Sequence, residues 1–274
     1  MGWDLSTAQF AALAVAALLV GFSKTAVSGA NTISLAVFAA VLPARASTGV
    51  LLPILIAGDI LAVLTYRRHA HWPTLWRLFP AVAGGVVAGT VFLMWADDAV
   101  MRTSIGAILL LMAGVTIAHR RRSATRPATQ EGADDTEGTG EGTGEGTGEG
   151  TGGGALGRRL KAPSYGVLGG FTTMVANAGG PVMSMYLLSA GFRKLGFLGT
   201  SAWFFLIVNT SKVPFSVSLG LIDTRSLLLD AALVLFVVPG AILGKYTVNR
   251  INQRLFEQLV IGATVLGGLQ LLLR

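Results

Sequence analysis

Apolar runs of helical length follow one another along almost the whole chain, and they break in a repeated way. Ala8–Val20 is apolar and ends at Gly21, after which small and polar residues intrude: Ser23, Lys24, Thr25, Ser28, Gly29 and Asn31. A short run, Thr32–Leu42, follows and stops at Pro43. Eleven helical residues span about 16 Å, half of a hydrocarbon core of about 30 Å. Full-length runs come next: Val50–Tyr66, interrupted by Asp59; Leu75–Trp95; and Ile105–Ala118. The same order then recurs. Tyr165–Val175 leads into an island at Asn177, Gly179, Gly180 and Pro181, and the short run Val182–Ala190 follows it. Thr200–Leu219, Leu227–Val248 and Leu255–Leu273 complete the set.

The match between the halves is positional. Gly21-Phe22 corresponds to Gly170-Phe171, Gly85-x-x-x-Gly89 to Gly240-x-x-x-Gly244, and Gly106 to Gly262. These signals predict an all-α, polytopic integral membrane protein made of two repeats, residues 1–122 and 161–274. Each repeat contains a short broken or re-entrant helix pair. Between them, residues 123–160 include TEGTGEGTGEGTGEGTGGG, which has no apolar face to bury and carries repeated like charge. That composition predicts a disordered linker. It lacks the Gly-Lys-Ser/Thr ending of a phosphate-binding loop.

Composition agrees with the pattern. Of the 274 residues, 52% are hydrophobic and only 13% charged, against about 25% charged in soluble domains. The runs do not alternate with period two, which argues against a membrane β-barrel. The net charge is +7, and half of the acidic residues lie in the linker. The basic residues cluster at segment ends, which marks topology rather than a nucleic-acid surface. Without cysteine, disulfides and thiolate metal sites are excluded. MGWDLS lacks the positive start of a cleaved signal peptide. Its match to a myristoylation pattern at Gly2 and Ser6 is read as chance, since a polytopic protein needs no lipid anchor.

Lysine and arginine mark the cytoplasmic side of a membrane protein. If each island turns the chain back as a hairpin, or as two crossings, each half crosses an odd number of times. Arg67, Arg68, Arg120–Arg122, Arg158, Arg159, Lys161, Arg193, Lys194, Lys245, Arg250 and Arg254 then all lie inside. A single broken span would send Arg193 or the Lys245–Arg254 group outside. The hairpin reading therefore predicts inverted repeats, both termini outside, and a cytoplasmic linker. Inverted repeats bind substrate near the midplane, where the halves meet.

The islands suit an anion. Asn31-Thr32 and Gly180-Pro181 each have the form of a helix start, and helix N-termini present free N–H groups and partial positive charge. Gly29, Gly179 and Gly180 let a ligand approach the backbone. An ionised lysine at the bilayer centre costs roughly 2.5–3.5 kcal/mol, so Lys24 and Lys212 need a partner or a wet cavity. Either they pair with Asp59, or one or both face the anion. Asn177, Asn209 and Ser28 offer further hydrogen bonds. Asp59 is read as an ion-pair partner or as the carrier of a coupling proton. Arg45 is expected at a loop end, Asp230 at the membrane interface, and His69 and His71 as a solvated pair rather than metal ligands. No cofactor is expected.

Several of these stretches resemble the TauE/SafE family of sulfite and organosulfur exporters. They are Gly21-Phe22-Ser23-Lys24, GGFTTMVANAGGP at 169–181, Gly199-Thr200-Ser201-Ala202-Trp203, and Asn209-Thr210-Ser211-Lys212-Val213-Pro214. In the first island Ser28-Gly29-Ala30-Asn31 stands where many members have a denser glycine run followed by proline. The resemblance implies a multi-pass inner-membrane exporter of sulfite, sulfoacetate or related small anions, with lipid and substrate as its partners. Other readings stay open: another small anion such as a carboxylate, or a membrane assembly protein without transport. A metal-ion carrier would want more core carboxylates than Asp59. An enzyme would want a paired acid and base, which the core segments do not show.

Overall fold

A computed structural model describes residues 5–26, 31–124, 155–192 and 194–247, with residues 265, 269, 272 and 273 beyond them. Helices α1 (Thr7–Thr25), α2 (Asn31–Val41), α3 (Ala44–Tyr66), α4 (Trp72–Trp95) and α5 (Asp98–Ala124) form the first half. Helices α6 (Ala155–Ala176), α7 (Gly179–Ser189), α8 (Lys194–Ser218) and α9 (Thr224–Thr247) form the described part of the second. The described residues contain no strand. Among the described residues, five helices are long and apolar enough to cross a membrane: Thr7–Thr25, Ala44–His69, Trp72–Trp95, Asp98–Val115 and Thr224–Thr247. Their outward positions stay apolar, with Leu64, Trp76, Met94 and Leu235 exposed. Lipid, not water, is the solvent that suits such a surface. The chain is a multi-pass membrane protein.

Local sequence sets the helix starts. Ser6 and Gln9 form a capping box: Ser6 Oγ accepts from Gln9 N–H at 3.2 Å, and Gln9 Oε1 accepts from Ser6 N–H at 2.9 Å. Asp223 and Ser226 do the same for α9, with Asp223 Oδ1 accepting from Ser226 N–H at 2.7 Å and Ser226 Oγ from Asp223 N–H at 3.0 Å. Pro73 occupies the first turn of α4, where its missing N–H costs nothing.

Some boundaries differ from those the sequence predicts. Gly21 does not end α1; the helix continues to Thr25 and carries Lys24 in its last turn. The reason is packing: Gly21 lies so close to the α9 backbone that an added Cβ would overlap Val237 O. Similarly, α7 begins at Gly179, with Pro181 as its third residue. Helix α5 runs to Ala124 and α6 starts at Ala155, so most of the predicted linker, and nearly all of Leu255–Leu273, lie outside the described residues.

Both short helices double back. Ser34 Oγ of α2 donates to Ala16 O of α1 at 2.8 Å, and Asn31 N–H donates to Ser23 Oγ at 3.0 Å. On α7, Gly179 abuts Thr173 and Val182 abuts Gly169, so α7 returns along α6.

The halves then pack reciprocally. Gly21 of α1 meets α9 at Val237 and Ala241, and Gly240 of α9 meets α1 at Leu18. Gly170 of α6 meets α4 at Val82 and Val86, and Gly85 of α4 meets α6 at Val167 and Phe171. Three of the four glycine pairs matched by sequence thus lie at the two seams; in the fourth, Gly262 lies outside the described residues. Removing Cβ lets backbones approach closely, the main source of helix association in lipid. Between the seams α3 and α8 cross antiparallel: Tyr66 lies by Gly199, Asp59 by Asn209, and Gly49 by Leu221.

Candidate functional site

Asp59 and Asn209 occupy matching positions in α3 and α8, and they touch at the crossing. Asn209 Nδ2 donates to Asp59 Oδ2 at 2.6 Å. Lys24 Nζ lies 2.6 Å from Asp59 Oδ1 and 4.4 Å from the centre of the Phe205 ring, a cation–π distance. The long α1 that Gly21 permits is what carries Lys24 to this depth.

Lys212 is held differently. Its ammonium donates to Thr173 O at 2.7 Å, Asn177 Oδ1 at 2.7 Å and Asn209 Oδ1 at 3.1 Å, with Thr173 Oγ1 at 3.3 Å. Its three N–H groups therefore all have neutral oxygen partners. Its side chain is 1% exposed, and no carboxylate of the described residues lies within ion-pair distance of it. Thr173 O is a C-terminal carbonyl of α6, where a cation suits the helix dipole.

Asn177 joins these groups to the helix break. It takes a left-handed conformation, φ 52°, which asparagine tolerates better than most residues at a helix end. Its N–H bonds Thr173 O at 3.1 Å and the N–H of Ala178 bonds Thr172 O at 3.2 Å. Asn177 Nδ2 donates to Thr48 O at 2.9 Å, and Asn31 Nδ2 to Asn177 O at 3.5 Å. At the matching end of α1, Tyr66 donates its hydroxyl to Thr25 O at 2.7 Å.

These groups surround a cavity of about 30 Å³, room for a few waters or a small ion. Ser23, Lys24, Asn31, Asp59, Thr173, Asn177, Gly180, Ser201 and Asn209 supply its polar wall; Leu55, Leu198 and Phe205 are among its apolar members. Of the residues picked out from sequence, Lys24, Asn31, Asp59, Asn177, Gly180 and Asn209 meet here. Lys212 stands one layer back, behind Thr173, Asn177 and Asn209, and Gly179 is buried at the start of α7. Ser28 and Gly29 lie outside the described residues.

Sequence reading missed Thr173, Ser201, Phe205 and Thr48 as site members. Thr173 had a signal: it matches Lys24 when Gly21-Phe22 is set on Gly170-Phe171. Thr48 acts through its backbone carbonyl, which no side-chain pattern reveals. Arg45 is at a helix start as expected, donating to Ala96 O at 2.7 Å through its guanidinium. Asp230, expected at the membrane interface, lies in the second turn of α9; it is 3% exposed, and neither carboxylate oxygen has a hydrogen-bond partner. It lies on the stripe of α9 that also carries Gly240 and Gly244 and faces the bundle.

A family model described as sulfite exporter TauE/SafE matches residues 13–271. The chain belongs to the sulfite exporter TauE/SafE family. No curated protein and no solved structure matches it. The match to the TauE/SafE model runs through both hairpins, both seams and every described residue that lines the cavity.

Proposed function

We propose that this TauE/SafE-family chain exports small sulfur-containing anions, such as sulfite, sulfoacetate or related sulfonates, across the inner membrane by alternating access. The observation that carries the reading is charge. Lys24 is neutralised by Asp59, but Lys212 is buried among neutral oxygens one layer behind the same cavity. A lone ammonium at this depth favours an anion in the cavity beside it. The family description supports sulfite or a close relative as the cargo. The titratable groups at the cavity, Lys24, Asp59 and Lys212, are ion-paired or caged rather than set as an acid and a base facing a substrate, which favours carriage over catalysis.

The architecture supports the movement. Matching helices α3 and α8 run antiparallel, each hairpin doubles back, and the glycine seams are reciprocal, all as expected of inverted repeats that rock about a central site. The hairpins favour both termini outside and residues 123–160 in the cytoplasm.

Thermal stabilisation of the purified protein by sulfite, sulfoacetate, taurine, sulfate and acetate tests the site, and flux in vesicles tests transport. Sulfite or a sulfonate should stabilise most. Preference for acetate would move the substrate to carboxylates. Silence in both assays would leave an assembly protein as the better reading. The chain has no cysteine, so one placed in the linker gives a clean topology probe, expected to label from the cytoplasm only.

A further inference from the structure

Resting on the anion-site reading above, we infer that the cavity accepts one net negative charge at a time: a monoanion binds alone, and a dianion binds only together with a proton taken up by Asp59. The count comes from the groups in and directly behind the wall. Lys24 and Lys212 contribute two positive charges and Asp59 one negative, leaving one positive among the described residues at the cavity. Residues 27–30, beside Asn31, are Val, Ser, Gly and Ala and bring no charge. A monoanion cancels the remaining charge. A dianion leaves an excess negative charge in a low-dielectric core, which is strongly disfavoured.

Asp59 is the group placed to correct that excess. It is fully buried, it borders the cavity, and its partner Lys24 also lines that cavity. When the carboxylate takes up one proton it becomes a neutral acid. Lys24 is then released from its ion pair and turns to the incoming anion. Charge balances: one proton enters with each dianion and leaves with it. The charged groups that act on Asp59 are Lys24 from α1 and Lys212 from α8. Helix α2 carries none. Helix α5 brings Asp98 and Arg102 to Arg45 at the far end of α3. Near Lys24, α9 offers its glycine seam, with Asp230 about 15 Å along the helix from Gly240 at 1.5 Å per residue. The small turn Arg67–His69 points its exposed basic groups away from the core.

Two anions of fixed charge near neutral pH separate the outcomes: methanesulfonate, a monoanion, and sulfate, a dianion. Calorimetric titration of the full chain, in buffers of different ionisation enthalpy, counts protons per anion bound. Methanesulfonate should bind without proton uptake and with an affinity independent of pH. Sulfate should bind with one proton, its affinity falling about tenfold for each unit rise in pH. In Asp59→Asn, sulfate should bind with no proton. Sulfate binding to the unmodified chain without proton uptake, or proton uptake with methanesulfonate, overturns the charge rule while leaving an anion site in place. Proton uptake unchanged in Asp59→Asn removes Asp59 from the role. Failure of both anions to bind defeats the anion-site reading itself, and the charge rule with it.

Discussion

The two halves solve one problem with opposite chemistry. Each begins with a helix that ends inside the protein, so each must satisfy C-terminal carbonyls away from water. In the first half a neutral phenol does this, Tyr66 to Thr25 O at 2.7 Å, and the lysine of that helix end, Lys24, pairs with Asp59. In the second half a lysine does it, Lys212 to Thr173 O at 2.7 Å, and no carboxylate answers it among the described residues. At the crossing the first half supplies Asp59 and the second Asn209. One half thus carries a closed ion pair open to the cavity, and the other an uncompensated cation beneath its wall. The difference teaches that symmetry of fold need not extend to charge. In the proposed anion site, this asymmetry supplies the positive charge.

The largest effect should come from Lys212→Met. It strands Asn177 Oδ1 and Asn209 Oδ1, leaves Thr173 O with the Asn177 N–H alone, and removes the cation at the end of α6. A loss of about 3 kcal/mol or more is expected, by analogy with broken buried charge networks. Anion-dependent stabilisation should vanish as well, read by thermal melts with and without sulfite. Lys212→Arg should not restore either, because a planar fork cannot sit in a cage built around a compact ammonium. If Lys212→Met melts like the parent, the contrast between the halves has no energetic content.

The seams come next. Gly21→Ala and Gly170→Ala each force a methyl against a backbone carbonyl, Val237 O and Val82 O. Overpacking of this kind costs about 1–3 kcal/mol. Because the positions are equivalent, the two losses should be similar in chemical or thermal denaturation, and a one-sided effect would break the reciprocity.

Asp230 breaks the symmetry within a seam. Its match in the first half is Leu75, also fully buried. Both oxygens of Asp230 lack hydrogen-bond partners, so Asp230→Leu should raise stability by about 1–3 kcal/mol. A melting temperature that falls instead would show that the carboxyl has a partner essential to the fold.

The smallest effect is expected where both members of a pair go together. Replacing Lys24 and Asp59 by Met and Asn removes the ion pair without leaving a lone charge, and stability should change by about 1 kcal/mol or less. Each single change should cost more, so a double-mutant cycle measures the coupling.

Much of this was legible in the chain. The short runs after the islands became the eleven-residue helices α2 and α7, because length and apolar content alone set how far a helix reaches. The glycine correspondences located both seams, since absence of a side chain is visible in a sequence. Lys24, Asn31, Asp59, Asn177, Gly180 and Asn209 were singled out because polar groups in apolar runs need a reason. Other features were not legible. The continuation of α1 through Gly21 depends on α9, more than two hundred residues away. The burial of Asp230 depends on which face of α9 meets the bundle.

By itself, then, the sequence determined the class of solvent, the shortness of α2 and α7 and the identity of the polar groups, because these follow from local composition and periodicity. The tertiary structure alone decided who pairs with whom: Asp59 with Lys24 rather than Lys212, and Lys212 with neutral oxygens at a helix end. Those choices depend on helix crossing geometry. A shift of a few ångströms there decides whether a lysine meets a carboxylate or only neutral oxygens.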